Sequence, residues 1–293
     1  MTTGSRQQEI KKDPDRLTKE RIEKLLDEKA SSAKLLVFDT VEGSTNDLVK
    51  EAAKRGEKEG YTLIAGGQTA GKGRVGRRFF SPRNTGIYMS VLLRPGGFLS
   101  GRPEMITTMA TAACRAVEEV SGEKALIKWV NDIYVRGKKT AGILTEASFD
   151  TDTRKIGYAV LGIGFNVYPP EEGFPEEIQN RAGSVFTERK TADGGRFSPA
   201  DQRCDLAAAF LNRFFDLYRA EDPTAYVTEY RERSLVVGRT VTVLQQDGKG
   251  SDTEKLTGRC AKVLSVDEEC RLVVRYEDGR TETLSSGEIS IRL

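Results

Sequence analysis

The stretch Gly66-Gly-Gln-Thr-Ala-Gly-Lys-Gly-Arg-Val-Gly-Arg-Arg-Phe-Phe-Ser-Pro82 decides how the rest of this chain is read. It sets Lys72, Arg74, Arg77 and Arg78 among the glycines Gly71, Gly73 and Gly76. No Asp or Glu occurs from Gly60 to Pro103, so these cations have no counter-ion nearby in sequence. Glycine lets a backbone approach a ligand closely and adopt positive φ. Arginine offers a forked donor matched to carboxylate and phosphate. A loop of this composition is built for an anion.

Three readings of the loop can be compared within the sequence. Gly71, Gly73 and Gly76 spell G-x-G-x-x-G, but a dinucleotide fingerprint must open a helix and be followed by an acid about 20 residues on. Here Phe79-Phe80-Ser81-Pro82 follows, and the next acid is Glu104. Gly66 and Gly71-Lys72 match the start of a P-loop, but Gly73 stands where Ser or Thr should hold magnesium, and a strand follows in place of a helix. A bare cationic loop for nucleic acid stays open, since basic runs are often electrostatic footprints.

The chain of 293 residues has room for one large or two medium domains and a sizeable core. Lys and Arg number 46 against 44 Asp and Glu, a net charge of +2, so the basic loop is a local feature. Histidine is absent. That excludes a Ser-His-Asp triad, imidazole acid–base chemistry and most zinc hydrolase sites. Adenylation fits the remaining residue types, because it depends on positioning and charge stabilisation. Cys114, Cys204, Cys260 and Cys270 form no C-x-x-C pair, so isolated buried thiols in a reducing compartment are expected. No apolar run approaches the roughly 18 residues of a membrane span, and the expectation is a cytoplasmic protein with no membrane partner.

Residues 1–33 read as a flexible polar N-terminus with a short helix, capped by Thr18 and docked through Leu17, Ile22, Leu25 and Leu26. Lys34–Phe38 reads as a strand. Ser44-Thr-Asn-Asp47 then reads as a capping box, Ser44 at N-cap and Asp47 at N3, before a helix with Leu48, Val49, Ala52 and Ala53 on one face. Tyr61–Ala65 is a strand feeding the loop, and Thr85–Leu93 alternates Ile87, Met89, Val91 and Leu93 against Tyr88, Ser90 and Leu92. Met109, Ala113 and Val117 fall at helical spacing. Leu126–Val135 reads as one strand whose alternation puts Asn131 on an apolar face with Ile127, Trp129 and Ile133. A buried amide there needs partners, which backbone groups or a ligand could supply. After a turn at Arg136-Gly137-Lys138, a strand places Lys139 on a face with Ala141, Ile143 and Thr145. Such a lysine either snorkels at a sheet edge or meets a negative group. Ile156–Val167 returns as a strand in which Gly162 and Gly164 expose bare backbone. Leu206, Phe210, Phe214 and Leu217 mark an amphipathic helix. From Leu235 short alternating strands with Asp247-Gly248 and Asp278-Gly279 turns read as a small barrel. The fold class is α+β: a mixed sheet with helices on one side over residues 34–234, then a β-unit over 235–293.

Several motifs recur in one order: Ser44-Thr-Asn46, Gln68 to Pro82, Lys128-Trp-Val-Asn-Asp-Ile133, Lys139-Thr-Ala-Gly-Ile-Leu-Thr-Glu146 and Gly162-Ile-Gly-Phe-Asn-Val167. From about Leu35 onward the chain resembles the biotin protein ligases. The resemblance implies a class-II-synthetase-like catalytic domain followed by an SH3-like barrel. It implies ATP-dependent formation of biotinyl-5′-AMP, then transfer of biotin to a lysine in the biotin-acceptor domain of a carboxylase (a biotin carboxyl carrier protein). Lys139 and Arg74 are its catalytic residues. Ser44, Thr45, Asn46, Gln68, Gly71, Lys72, Gly73, Gly142 and Gly162 join them around biotin. Arg77, Arg78, Phe79, Asn131 and Asn166 join them around ATP. Magnesium is expected with ATP, its ligands unknown and Asp132 only a candidate. About 34 residues precede the first strand, too few for a three-helix DNA-binding module, so no DNA partner is expected. The oligomeric state is left open, a homodimer being one arrangement it admits. Two positions depart from the family pattern: Lys72 where Arg is usual, and Val130 where Pro is usual. A lipoate ligase and a non-enzymatic nucleic-acid-binding protein remain as alternatives.

Overall fold

The computed structural model describes residues 15–95, 104–149, 156–188, 202–220, 222, 226–246, 256–285 and 288–291. Two short helices, α1 (Lys19–Glu23) and α2 (Glu28–Ser31), precede the first strand. Thr18 caps α1 by accepting from the Arg21 amide at 3.3 Å. Leu17 and Ile22 are buried, with Leu25 and Leu26 packed beside them. Asp15 is also buried; the amide and guanidinium of Arg203 and the hydroxyl of Tyr168 donate to its carboxylate. The segment is therefore anchored from Asp15 onward, because a buried carboxylate must keep its partners. Residues 1–14 lie outside the described residues.

Strand β1 (Lys34–Phe38), helix α3 (Thr45–Lys54) and strand β2 (Tyr61–Ala65) make a parallel crossover. Beyond the glycine-rich loop come β3 (Gly86–Leu93), α4 (Glu104–Ser121), β4 (Ala125–Lys128), β5 (Asp132–Val135), β6 (Lys138–Phe149) and β7 (Ile156–Asn166). The sheet runs β1-β2-β3-β7-β6-β5-β4, antiparallel except for the first pair. Helices α5 (Glu176–Gln179), α6 (Gln202–Tyr218) and α7 (Val227–Glu232) complete this part.

The pleat sorts the side chains by parity. Ile87, Met89 and Val91 of β3 and Leu161, Ile163 and Phe165 of β7 join the core under α4 and α6. On the reverse face Val49, Ala52 and Ala53 of α3 pack on Leu63, Ala65, Leu92 and Val160. Helices thus cover both faces, not one as expected, and β3 is buried along its whole length. Leu48, assigned to the apolar face of α3, is exposed.

Two expected strand readings change. Leu126–Val135 is not one strand but the hairpin β4–β5, reversing through Trp129-Val130-Asn131 with Lys128 paired to Asp132. Alternation cannot be carried through a reversal, so Asn131 sits in the turn. The second change concerns Lys139. Tyr134 pairs with Lys139 and Ile133 with Ala141, so Thr140 is an extra residue on β6. Such a bulge switches the parity of what precedes it. Lys139 consequently leaves the Ala141 face and projects beside Gly142. Between these strands Arg136 (φ 49°) and Gly137 (φ 74°) form a two-residue hairpin turn.

The C-terminal strands β8 (Thr240–Gln246), β9 (Leu256–Val266), β10 (Leu272–Tyr276), β11 (Thr281–Leu284) and β12 (Glu288–Ile291) form a separate antiparallel sheet, ordered β11-β10-β9-β8-β12, as in an SH3-like unit. Val241, Val243, Leu272 and Val274 are among its buried positions. Gly279 (φ 81°) makes the second expected turn; Asp247-Gly248 lies outside the described residues. This small sheet docks on the larger one. The Trp129 indole donates to Cys270 O at 2.9 Å, and Leu235 N donates to Ile127 O at 2.8 Å, extending the β4 edge.

Candidate active site

On the α3 face of the sheet the strands run out of side chains. Gly142 of β6 is paired with Gly164 of β7, and Gly162 lies between Ser90 of β3 and Leu144 of β6. The floor is bare backbone because nothing larger fits. A Cβ on Gly162 would lie 2.2 Å from Asn46 Oδ1, and one on Gly164 would lie 2.5 Å from the Phe79 ring. Three segments close around this floor. They are the N-terminus of α3, the basic loop and the start of β6, and they leave a narrow cleft between them.

Helix α3 enters with Ser44 as its cap, the hydroxyl accepting from the Asn46 amide at 3.3 Å. The capping box is only half made. Asp47 does not return to the Ser44 amide; its carboxylate takes Lys72 at 2.6 Å and Lys50 at 2.9 Å. Lys72 therefore has a counter-ion across space that the local sequence lacks. Burial pushes Asp47 up, but the two ammonium groups outweigh it and hold the carboxyl below its usual range. Burial works against the Lys50 ammonium, yet Glu146 and Asp47 together raise its pKa.

The loop is a small hairpin. Gly73 N donates to Arg77 O (2.7 Å), Arg77 N to Arg74 O (3.1 Å) and Phe79 N to Gly71 O (2.9 Å). Its tip places Val75 (φ 51°) and Gly76 (φ 68°) in the left-handed region, unusual for a β-branched residue. Gly71 is required, since a Cβ there would meet Ser81 Oγ at 2.3 Å and Phe79 O at 2.5 Å. From this hairpin Phe79 covers Gly142 and Gly164, while Arg74 donates to Asn131 Oδ1 at 3.0 Å. Asn131 also donates to Ile143 O at 2.8 Å, so backbone and loop satisfy its amide together. Lys139 is paired with Asp132 at 2.6 Å, the two side chains 30% and 16% exposed.

A buried polar thread lines the other end. The amide (2.8 Å) and hydroxyl (3.1 Å) of Thr45 donate to Gln68 Oε1, and Gln68 Nε2 donates to Ser81 Oγ at 3.0 Å. Ser90 Oγ lies 2.8 Å from Thr45 Oγ1 and donates to Asn46 Oδ1 at 2.6 Å. Asn46 Nδ2 donates to Glu146 Oε2 at 2.8 Å.

The structure therefore gathers Ser44, Thr45, Asn46, Gln68, Lys72, Phe79, Gly142 and Gly162 on one cleft. Lys139 stands beside Gly142, and Arg74 is joined to that region through Asn131. Arg77 and Arg78 stay exposed on the outside of the hairpin, Arg78 reaching Thr69 O at 3.4 Å. Asn166 shares the parity of Gly162 and Gly164 at the end of β7 and donates to Gly183 O. Tyr88, Ser90, Ser81, Leu144 and Glu146 were not selected from the sequence. Tyr88 and Ser90 carried a signal, the polar side of an alternating strand; Glu146 ends the motif begun at Lys139, but nothing local pairs it with Asn46. Among the described residues no group of three His, Cys, Asp or Glu side chains could hold a metal ion, and the Asp132 carboxylate is engaged by Lys139. Chemically, the cleft offers a hydrogen-bonding end, a flat backbone floor and cations at the far side. That combination suits a flat polar ring with an anionic tail.

Residues 38–166 match the Biotin/lipoate A/B protein ligase family. The chain is 31% identical over 258 residues to the biotin–[acetyl-CoA-carboxylase] ligase of Mycobacterium tuberculosis, covering 84% of this chain and 85% of that one. It is 30% identical over 244 residues to the bifunctional ligase/repressor BirA of Bacillus spizizenii, covering 83% of this chain and 70% of the relative. Its fold superimposes on the biotin protein ligase from Aquifex aeolicus in complex with biotin and ATP. There the TM-score is 0.66 with 26% identity, over 88% of this chain and 98% of that one. The chain belongs to the biotin protein ligase family. Among the described residues no helix is long and apolar enough to cross a membrane.

Proposed function

We propose that this chain is an ATP-dependent ligase that activates biotin as biotinyl-5′-AMP and transfers it to a lysine of a carboxylase biotin-acceptor domain. The observation that carries the proposal is the placement of Lys139. The Thr140 bulge turns it from the core face to the glycine floor, beside the arginine loop. In the first step a biotin carboxylate oxygen attacks the α-phosphorus of ATP, and pyrophosphate leaves. Lys139 and Arg74 neutralise the carboxylate and the charge developing on phosphate; one such preorganised donor is typically worth about 10²–10³ in rate. In the second step the neutral lysine amine of the acceptor attacks the acyl carbon, the acyl–phosphate bond breaks, AMP leaves and the nitrogen sheds its proton.

Ser44, Thr45, Asn46 and Gln68 hold the biotin ring over Gly162, with the Gly71–Arg74 backbone closing behind it. Arg77, Arg78, Phe79 and Asn166 address the nucleotide, and Asn131 does so through its hold on Arg74. Magnesium enters with ATP as the counter-ion of its phosphates. The catalytic unit spans residues 34–234 and the barrel 235–293, a division supported by the two separate sheets. The proposal covers only the ligase half of the Bacillus relative's name and involves no DNA. A cytoplasmic setting agrees with the requirement for ATP and with four cysteines outside any disulfide.

The family description also names lipoate, so the decisive experiment is ATP–pyrophosphate exchange with biotin, with lipoate and with neither. Exchange with biotin alone is expected. Exchange with lipoate alone keeps the reaction class and overturns the substrate. Absence of exchange from folded protein with MgATP overturns the adenylation step.

A further inference from the structure

The side chain of Asn46 is held at both ends. Its Nδ2 donates to Glu146 Oε2 at 2.8 Å and, at the longer 3.5 Å, to Leu144 O, and its Oδ1 accepts from Ser90 at 2.6 Å. The residue is 3% exposed and lies against Gly162 on the wall of the cleft. An asparagine amide is nearly symmetric in shape, and only its partners decide which end is oxygen and which is nitrogen. An ionised carboxylate can only accept, so Glu146 compels the NH₂ end to face it. The oxygen is then the end over the floor, and its second lone pair is left for a ligand.

We infer that Glu146 is a positioning residue that locks the Asn46 amide and so makes the cleft select a ring that carries N–H donors. This rests on the biotin-ligase reading above. A cyclic urea brings N–H groups to that oxygen, whereas a dithiolane ring brings none. The selectivity thus arises one residue behind the surface that touches the ligand. The plain alternative is that Glu146 serves only as the partner of Lys50, at 2.7 Å. Lys50 already has Asp47 at 2.9 Å, and partly exposed ion pairs contribute little. The bond to Asn46 is different, because it satisfies a buried amide that is costly to leave unmade. The pocket hydroxyls cannot replace it. A hydroxyl can donate or accept, and Ser90 also has Thr45 Oγ1 at 2.8 Å for its proton, so by itself it would take either end of the amide.

The test compares wild type with Glu146→Leu, Glu146→Gln and Ser90→Ala in biotin-dependent ATP–pyrophosphate exchange. The substrates are biotin and biotin methylated at either ureido nitrogen. In Glu146→Leu the biotin KM is expected to rise roughly ten- to hundredfold, the scale of a hydrogen bond to a charged group. The KM for ATP and kcat are expected to stay within about twofold, and the preference for biotin over the methylated compounds to collapse. Glutamine fills the same space but has one acceptor oxygen, for which Lys50 and Asn46 compete, so Glu146→Gln is expected to lose much of that preference as well, as an acceptor-only lock requires. Ser90→Ala removes the opposite half of the clamp and is expected to raise the biotin KM alone, independently of whether Glu146→Leu folds. An unchanged biotin KM, or biotin and ATP KM values rising together with the preference intact, overturns the positioning role. Wild-type protein that shows no biotin-dependent exchange overturns the ligase reading itself, a distinct result.

Discussion

Strands β3 and β7 have two faces built on one backbone. On the α4/α6 side sit Ile87, Met89, Val91, Leu161, Ile163 and Phe165, all buried among apolar neighbours. On the α3 side the same strands present Tyr88, Ser90, Gly162 and Gly164, and the cleft lies there. Consecutive residues serve opposite purposes because side chains alternate across a strand. The packed face holds the backbone still, and the empty face uses that stillness to place a ligand within hydrogen-bonding tolerance. A site floor with few side chains needs a rigid reverse side, since nothing on the floor itself can stabilise it.

The contrast predicts that neighbouring substitutions fail in different ways. The largest effect belongs to the packed face. Phe165 is fully buried, its ring centroid 5.6 Å from that of Phe210. Phe165→Ala is expected to cost about 3–5 kcal/mol of stability, read as a lower urea midpoint, while the remaining folded protein keeps its biotin KM. A changed KM with an unchanged midpoint would break the division between faces. Next comes Lys139→Ala, which leaves the packed face untouched. Adenylation is expected to fall by about 10²–10³ in kcat/KM with circular dichroism like that of wild type; full activity would remove Lys139 from the site. Smaller still is Gly162→Ala, whose new methyl would press on an Asn46 that Ser90 and Glu146 hold in place. Overpacking of roughly 1–3 kcal/mol should appear as a modest loss of stability together with a weaker biotin KM. A pure stability loss there would mean that Gly162 belongs to the core.

Much of this was legible in the chain itself. The parity of β3, the α3 cap at Ser44 and the stripe of α4 all follow local periodicities, which do not depend on distant residues. The glycines of the basic loop announced close packing, and Gly71 is held to that by Ser81 and Phe79. Other features depended on contacts distant in sequence. Lys139 was assigned to the wrong face because the Thr140 bulge is visible only in the pairing with β5. Trp129–Asn131 was read as a strand interior because an apolar run looks alike on either side of a tight turn. Asp15 resembled its polar neighbours, and its burial depends on Arg203 far along the chain.

By itself, then, the amino-acid sequence determined the α+β class, the motifs that place the chain among the biotin protein ligases, and most residues around the cleft. Those properties are set by residue type and by spacing within a few turns of chain. Tertiary structure alone decided that helices cover both sheet faces, that Lys72 finds Asp47, and that Glu146 grips Asn46. Each of these joins elements whose approach is set by the packing of the whole sheet, and charge or amide partners are chosen by distance in space, which sequence separation does not encode.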